Sequence, residues 1–149
     1  MSAPAHSWDQ LLKLAQELKR WSDSNVCEET RQRSATSRAY YAAFCSARNY
    51  LRDVENEIPP TDGTAHGWVP SQLQVPKGPM DRERAEVARW LNRLRRRRNR
   101  ADYDDVIPPP DSAANDSVQA LLYGKKILQH LSKLQRPSSP CSDGQPQVP

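Results

Sequence analysis

Cysteine, glycine and phenylalanine are scarce in this chain of 149 residues. The three cysteines, Cys27, Cys45 and Cys141, are far apart and belong to no Cys-x-x-Cys or Cys/His group. This spacing supports neither a disulfide framework nor a zinc site, and we expect no metal and no cofactor. Phenylalanine occurs once, so the core must be built mainly from leucine, alanine, tyrosine and tryptophan.

Long apolar runs are also missing. Nowhere do about 18 consecutive apolar residues occur, which is the length that a membrane-spanning helix needs. The first residues, Met-Ser-Ala-Pro-Ala-His-Ser-Trp, lack the apolar run of a secretory signal. We therefore expect a cytoplasmic protein without a membrane partner.

The alternating pattern of strands is absent, whereas helical periodicity is clear, and the predicted class is all-α. Four helices are predicted over about residues 8 to 22, 30 to 56, 81 to 104 and 112 to 136. In the second, an apolar stripe consists of Tyr40, Phe44, Ala47, Leu51 and Val54. In the last, a broad apolar face consists of Val118, Leu121, Leu122, Leu128, Leu131 and Leu134. These stripes predict an up-and-down bundle of four to five helices.

The segment between the second and third helices has a different composition. Residues 57 to 79 contain five prolines and three glycines, which predicts a long loop over residues 57 to 80 with at most a turn of helix around residues 71 to 75. Residues 1 to 136 are predicted to form one domain. Residues 137 to 149 have almost no apolar side chains to bury, and we expect a disordered tail rich in proline and serine.

The net charge of +4 is unevenly distributed. Between residues 82 and 100, nine arginines accompany two glutamates and no lysine. Val87, Leu91, Leu94 and Ala101 form an apolar seam in this helix, and Arg98 falls on that seam, four residues after Leu94. A guanidinium at a core position must find partners or face a cleft. We therefore select Arg98 as the main candidate for function.

Two interpretations of the remaining arginines stay open. They form either a solvated basic face paired with Asp102, Asp104 and Asp105, or a surface that contacts nucleic acid, since phosphates favour bidentate arginine. The candidates for nucleic-acid contact are Arg38, Arg95, Arg97, Arg100 and His66. A lone loop histidine such as His66 is more often exposed to solvent than functional, and Arg38 is alternatively explained as a surface ion beside the core ring of Tyr40.

Taken together, several of these residues resemble the HEPN domain family. The resemblance consists of Ser-Arg-Ala-Tyr-Tyr-Ala-Ala-Phe at residues 37 to 44, a loop containing His66, Arg98 followed by Asn99, an aromatic residue at Tyr103 and a last helix rich in alanine and leucine. It covers about residues 8 to 135. It implies a helical bundle that forms a homodimer and, in active members, a metal-independent endoribonuclease with Arg98, Asn99 and Tyr103 at catalytic positions.

Tyr103 occupies the position at which active members carry histidine. Cleavage of RNA by its own 2′-hydroxyl needs a base, and tyrosine, with a pKa of about 10, is almost fully protonated at neutral pH. Tyr103 would then act as an acid or bind phosphate, or simply pack half-buried at the helix end. Family members encoded beside a nucleotidyltransferase are silenced by modification of a tyrosine, so we also consider such a partner, or another antitoxin. Asn99 contacts either ligand or backbone.

Three functional hypotheses follow. The first is an RNA-directed HEPN protein of a prokaryotic defence or toxin-antitoxin system, either an endoribonuclease or a weakened descendant of one. The second is a non-catalytic HEPN module that binds a nucleotide, RNA or a protein partner. The third is a structural subunit, in which Arg98 would be buried against a carboxylate of its own chain.

Overall fold

The computed structural model describes residues 3 to 22 and 25 to 136. Over these residues it contains five α-helices and no strand, which confirms the all-α bundle. The helices are α1 (Gln10–Arg20), α2 (Glu28–Asp53), α3 (Ala65–Leu73), α4 (Asp81–Tyr103) and α5 (Ala113–Gln135). No helix in these ranges is long and apolar enough to cross a membrane. The tail predicted over residues 137 to 149 lies outside the described residues.

Helix α2 is the centre of the bundle, and each of the other four helices packs against it. Its predicted stripe is buried from Tyr40 to Leu51, whereas Val54 follows the end of the helix and is exposed. Several fully buried alanines on α2, such as Ala39, allow neighbouring helices to approach closely. The structure confirms a long second helix, although the helix ends at Asp53 rather than near residue 56 and its buried stripe stops at Leu51.

Helix α5 packs through small residues, and its predicted apolar face is partly wrong. Val118 and Leu122 are exposed, whereas Ala120, Gly124 and Ile127 are buried. A Cβ atom at Gly124 would lie 2.9 Å from Leu12 Cδ1 and 3.7 Å from the carbonyl oxygen of Ala39. The tight contact at Gly124 is therefore with Leu12 of α1, whereas the distance to Ala39 of α2 is an ordinary van der Waals contact. A small residue is needed at this point of the interface, and some larger side chains of α5 face outward.

The segment predicted as a loop contains more helix than expected. Helix α3 has nine residues, and Ala65, Val69 and Leu73 bury one face of it against α2 and α4. These three residues recur at a spacing of four, which is the signal that the prolines and glycines around them obscured. The helix matters for function because it places His66 in its first turn, next to α2 and α4.

The end of α4 is fixed by Arg33 of α2. Arg33 Nη1 donates to the carbonyl oxygens of Arg100 at 3.3 Å, Ala101 at 3.2 Å and Asp104 at 2.6 Å, and its Nη2 donates to that of Asp105 at 3.4 Å. The last carbonyls of a helix have no partner within the helix, so these bonds satisfy groups that would otherwise need water. They hold in place the turn that follows Arg98.

Candidate anion-binding site around Arg98

The predicted seam of α4 is confirmed, and it contains a second buried arginine that sequence reasoning missed. Arg84 donates from Nε and Nη2 to the two carboxylate oxygens of Glu55, at 3.0 and 2.9 Å. Its guanidinium also donates to the carbonyl oxygens of Gln72 and Val75. Arg84 is therefore fully engaged, and it ties α4 to the end of α3 and to the segment after α2. Arg84 therefore shows how a buried arginine on this seam can be fully paired, and the pairing of Arg98 can be compared with it.

Arg98 is buried to a similar degree, with 6% of its surface exposed, but its charge is not matched in the same way. Its Nε atom has no hydrogen-bond partner among the described residues. The nearest carboxylate oxygen, Asp102 Oδ2, lies 3.9 Å from Nε, which is too far for a hydrogen bond. Arg98 is thus buried, as a structural subunit would require, but it lacks the tight pairing with a carboxylate that this hypothesis predicts.

Aromatic rings take the place of a carboxylate around Arg98. Its Cζ atom lies 4.9 Å from the centre of the Tyr40 ring and 5.3 Å from that of Tyr41. Arg38 also makes a cation–π contact with the Tyr41 ring, with its Cζ 5.5 Å from the ring centre. Cation–π contacts stabilise a cation without neutralising it, so the two arginines leave a positive field around Tyr41. We call Arg98, Arg38, Tyr40, Tyr41 and His66 the Arg98 cluster.

His66 joins this cluster from α3 and is partly buried, so its interpretation as an exposed loop histidine is wrong. Its Nδ1 lies 2.6 Å from the hydroxyl oxygen of Tyr40, and its ring stacks on Phe44 with centroids 4.4 Å apart. Burial raises the pKa of Tyr40 to about 12, so its hydroxyl stays protonated and can donate to His66 Nδ1. Burial, followed by the charges of Arg98 and Arg95, lowers the pKa of His66, which favours neutral imidazole.

The titration of His66 provides the first prediction. We expect NMR titration to give His66 a pKa below its ordinary value of about 6.5, and the Arg98→Met variant to raise it. In the unfolded chain His66 takes up its proton at the ordinary pKa, so the lowered pKa makes stability fall as pH drops through 6.5. The His66→Phe variant should lose this part of the pH dependence.

The matched control is Arg82→Met, which removes an exposed arginine sixteen residues earlier on the same helix, about 24 Å away along its axis. A charge at that distance is screened at physiological salt. An equal change in the pKa of His66 in the Arg82 and Arg98 variants would show that Arg98 does not act on the imidazole locally.

Asn99 and Tyr103 lie one turn apart on the exposed side of α4. Tyr103 is 74% exposed, so the interpretation as a half-buried packing residue is wrong. Within the described residues of one chain, no hydrogen bond or ring contact joins Tyr103 to the Arg98 cluster. Asn99 likewise has no hydrogen bond from its side chain to backbone or to a loop there. The structure thus leaves both side chains available to a ligand or a partner.

Asn99 lines a groove of about 990 Å³ along the exposed face of α4, which we call the α4 groove. Its lining residues are Gln74, Arg82, Ala85, Glu86, Arg89, Asn92, Arg95, Arg96 and Asn99. Four arginines and one glutamate give it a positive balance, although Arg89 is paired with Glu86. Arg95 links the groove to the Arg98 cluster, because its charge also lowers the pKa of His66.

Two of the predicted nucleic-acid contacts face α5 instead. Arg100 donates from Nε to Asp116 Oδ2 at 2.6 Å and from Nη1 to Asp111 Oδ2 at 2.8 Å. Arg97 places its Nε 3.5 Å from Asp116 Oδ1 and its Cζ 5.5 Å from the ring centre of Tyr123. The prediction that Arg97 and Arg100 are solvated or pair with Asp102, Asp104 and Asp105 is wrong, because both pair with the fully buried Asp116.

The described residues contain no group of three or more histidine, cysteine, aspartate or glutamate side chains that could hold a metal ion. The fold and the site together define a class: an all-α bundle with an incompletely paired, buried arginine among aromatic rings, next to a basic groove. Comparison of the chain with protein-family models, with curated proteins and with solved structures finds no match.

Proposed function

We propose that the chain is a HEPN-like, RNA-directed protein of a prokaryotic defence or toxin-antitoxin system, located in the cytoplasm, and that it binds RNA phosphates at Arg98. The observation that carries this proposal is that Arg98, of the three described arginines whose buried Nε has no hydrogen-bond partner, is the one that is itself a buried residue, while Arg84 on the same seam is saturated. A phosphate at the 7% of the Arg98 side chain that remains exposed would accept a charge-assisted hydrogen bond from the guanidinium, and such bonds are strong.

The α4 groove supports an extended ligand rather than a single anion. Arg82, Arg89 and Arg96 recur every seven residues, so they are spaced by about 10.5 Å along the helix axis. Although Arg89 is paired with Glu86, the row places positive charge along one exposed face, which favours a polyanion such as a nucleic-acid backbone. The resemblance to the HEPN family favours RNA over DNA as that ligand.

Cleavage would follow from this arrangement only if a proton acceptor and a proton donor join Arg98. In the reaction, the 2′-oxygen attacks phosphorus, its proton leaves to a base, and the departing 5′-oxygen receives a proton. Arg98 would stabilise the negative charge that develops on the phosphorus oxygens. His66 is the histidine of the cluster, and because its pKa is lowered, its imidazole is neutral and can accept a proton. In a homodimer a second copy of the chain would bring its own Tyr103 and Asn99 to the cluster.

A non-catalytic module that binds RNA, a nucleotide or a protein partner is the second candidate, and one observation favours it. Tyr103 is exposed and separate from the Arg98 cluster within one chain, so a single chain does not assemble the catalytic set. The same exposure makes the Tyr103 hydroxyl accessible to a nucleotidyltransferase or antitoxin partner. The two candidates share the phosphate contact at Arg98 and differ in whether the bound RNA is cut.

The second prediction separates the two candidates. Purified protein incubated with single-stranded and structured RNA in EDTA is expected to cut RNA, because no step of the mechanism uses a metal. Arg98→Gln should abolish cleavage, and Tyr103→Phe should slow it by about 100-fold or more if the hydroxyl transfers a proton. Gel electrophoresis gives the product, and analytical ultracentrifugation of the same samples gives the oligomeric state.

The control for these variants is Arg20→Met, which removes an exposed arginine at the end of α1, away from the cluster and the groove. RNA binding without cleavage would establish the module and reject the nuclease. Absence of both binding and cleavage would reject the RNA-directed function altogether. Affinity should also fall steeply with salt, because phosphate contacts release counterions.

A further inference from the structure

A second concave surface adjoins the Arg98 cluster on the other side of Tyr41. It has a volume of about 650 Å³, which lies in the range of small-molecule sites. Four of its lining residues are aromatic or heteroaromatic: Trp8, Tyr41, Phe44 and His66. We call it the aromatic pocket. It shares Tyr41 and His66 with the Arg98 cluster, and the function proposed above does not use the rest of its lining.

Three separate parts of the chain build the aromatic pocket. Tyr41 and Phe44 come from one face of α2, His66 comes from the first turn of α3, and Trp8 comes from the segment before α1. His66 stacks on Phe44 and meets Tyr41 edge-on with centroids 6.1 Å apart. Helix α2 and the bond between Tyr40 and His66 fix the rings of Tyr41, Phe44 and His66 relative to one another, so this part of the pocket is preorganised.

The pocket also contains an arginine without a carboxylate partner among the described residues. Arg48 places its Cζ 5.5 Å from the ring centre of Trp8, and its Nε and Nη2 both donate to Asn49 Oδ1 at 3.1 Å. Nearby Arg52 differs, because it is paired with Asp53. Asp62, the lining carboxylate, accepts hydrogen bonds from Thr64. The charge of Arg48 is therefore available to an anion at the pocket.

Cys45 is an apolar part of the pocket wall. It is 4% exposed, and burial raises the pKa of its thiol, so the reactive thiolate is disfavoured. The pocket thus offers stacking faces, an apolar wall and two arginines, of which Arg48 has no carboxylate partner among the described residues; Asp62 is the one carboxylate in its lining. This combination suits binding of a flat, partly polar ring attached to a phosphate.

We propose that the aromatic pocket binds the base of a nucleotide, with the base stacked on the aromatic side chains and Arg48 in contact with a phosphate. The proposal deepens the function inferred above, since it rests on the choice of RNA to select nucleotides as the ligand class. Tyr41 connects the aromatic pocket to the Arg98 cluster, because its ring lines the pocket and also contacts Arg98. A strand whose phosphate binds Arg98 would therefore have a base within reach of the pocket.

The third prediction concerns this pocket and uses small ligands, so that it does not depend on RNA cleavage. Adenosine 5′-monophosphate and uridine 5′-monophosphate are titrated into the full chain by calorimetry, with ribose 5-phosphate as the probe that lacks a base. A base stacked on aromatic rings should make at least one nucleotide bind about 5- to 150-fold more tightly than ribose 5-phosphate.

Trp8→Ala should remove most of this preference, whereas Trp8→Phe, which keeps a stacking ring, should retain part of it. Trp21→Ala is the matched control, because Trp21 is a largely exposed tryptophan at the end of α1 that does not line the pocket. Arg48→Met should weaken the nucleotide and ribose 5-phosphate alike. Circular dichroism spectra confirm that each variant is folded before titration.

Equal affinity of the unmodified chain for nucleotides and ribose 5-phosphate would overturn the proposal, as would a preference that survives Trp8→Ala. Failure of the RNA-directed function would look different. In that case RNA affinity would be absent or insensitive to Arg98 substitution, whatever the mononucleotides show.

Discussion

Replacement of Arg84 by methionine is expected to lower the free energy of unfolding by about 3 kcal/mol, because it leaves the carboxylate of Glu55 buried without its main partner. The side chain of Glu55 is only 8% exposed, and Lys77, 3.0 Å away, remains as a weaker partner. The carbonyl oxygens of Gln72 and Val75 also lose a donor. Urea denaturation followed by circular dichroism gives the value.

Two further variants make this result specific. Arg82→Met removes an exposed arginine from the same turn of α4 and should change the free energy of unfolding by less than about 0.5 kcal/mol. The double variant Arg84→Met with Glu55→Gln should be less destabilised than the sum of its single changes, since each removes the same ion pair. Additive effects would mean that Arg84 stabilises the protein through its apolar stem alone.

Replacement of Arg98 by methionine is expected to weaken RNA binding strongly and to change stability little, whereas replacement of Arg84 mainly lowers stability. RNA affinity should fall about 10- to 150-fold, as expected for loss of a hydrogen-bonded, charged contact of about 1.5–3 kcal/mol. The free energy of unfolding should change by no more than about 1 kcal/mol, because the lost cation–π contacts are offset by removal of a buried, incompletely paired charge. Fluorescence anisotropy with labelled RNA and urea denaturation measure the two quantities.

Arg20→Met serves as the control for net charge, and Arg98→Lys tests whether the planar guanidinium itself is needed. Lysine keeps the charge but not the bidentate geometry, so we expect intermediate RNA affinity. A large loss of stability in Arg98→Met with unchanged RNA affinity would assign Arg98 to the structural class that Arg84 represents. Comparison of the Arg84 and Arg98 variants therefore tests whether Arg98 serves ligand binding rather than stability.

The sequence predicted the helical class, the approximate extent of α2, α4 and α5, and the position of Arg98 on a buried seam, because these depend on local periodicity. It could not separate Arg98 from Arg84. The two residues share the seam, and what distinguishes them is Glu55, which lies 29 residues before Arg84 and reaches it only through the fold. Arg84 also falls on the helical spacing of the seam, three residues before Val87, which is the signal that could have identified it.

Two other features of the site could not be predicted from the sequence for the same reason, because they depend on contacts between helices. Asp116 lies in the first turn of α5 and is fully buried, so only the packing of α5 on α4 makes it the partner of Arg97 and Arg100. The placement of His66 against Tyr40 likewise depends on α3, whose short apolar repeat is interrupted by glycine and proline. The candidate site combines residues from three helices, and only its α4 component follows a pattern that can be read along the chain.

The hydrogen bonds of Arg33 have an electrostatic consequence for ligand binding. The carboxyl end of a helix carries a partial negative charge and repels phosphate, and Asp104 and Asp105 add to that repulsion at the end of α4. Arg33, whose Nε is paired with Glu29 at 2.9 Å, uses its other two nitrogens to donate to those carbonyl groups from the neighbouring helix. An anion approaching Arg98 therefore meets a helix terminus whose carbonyl groups are already hydrogen-bonded to a residue 65 positions earlier in the sequence.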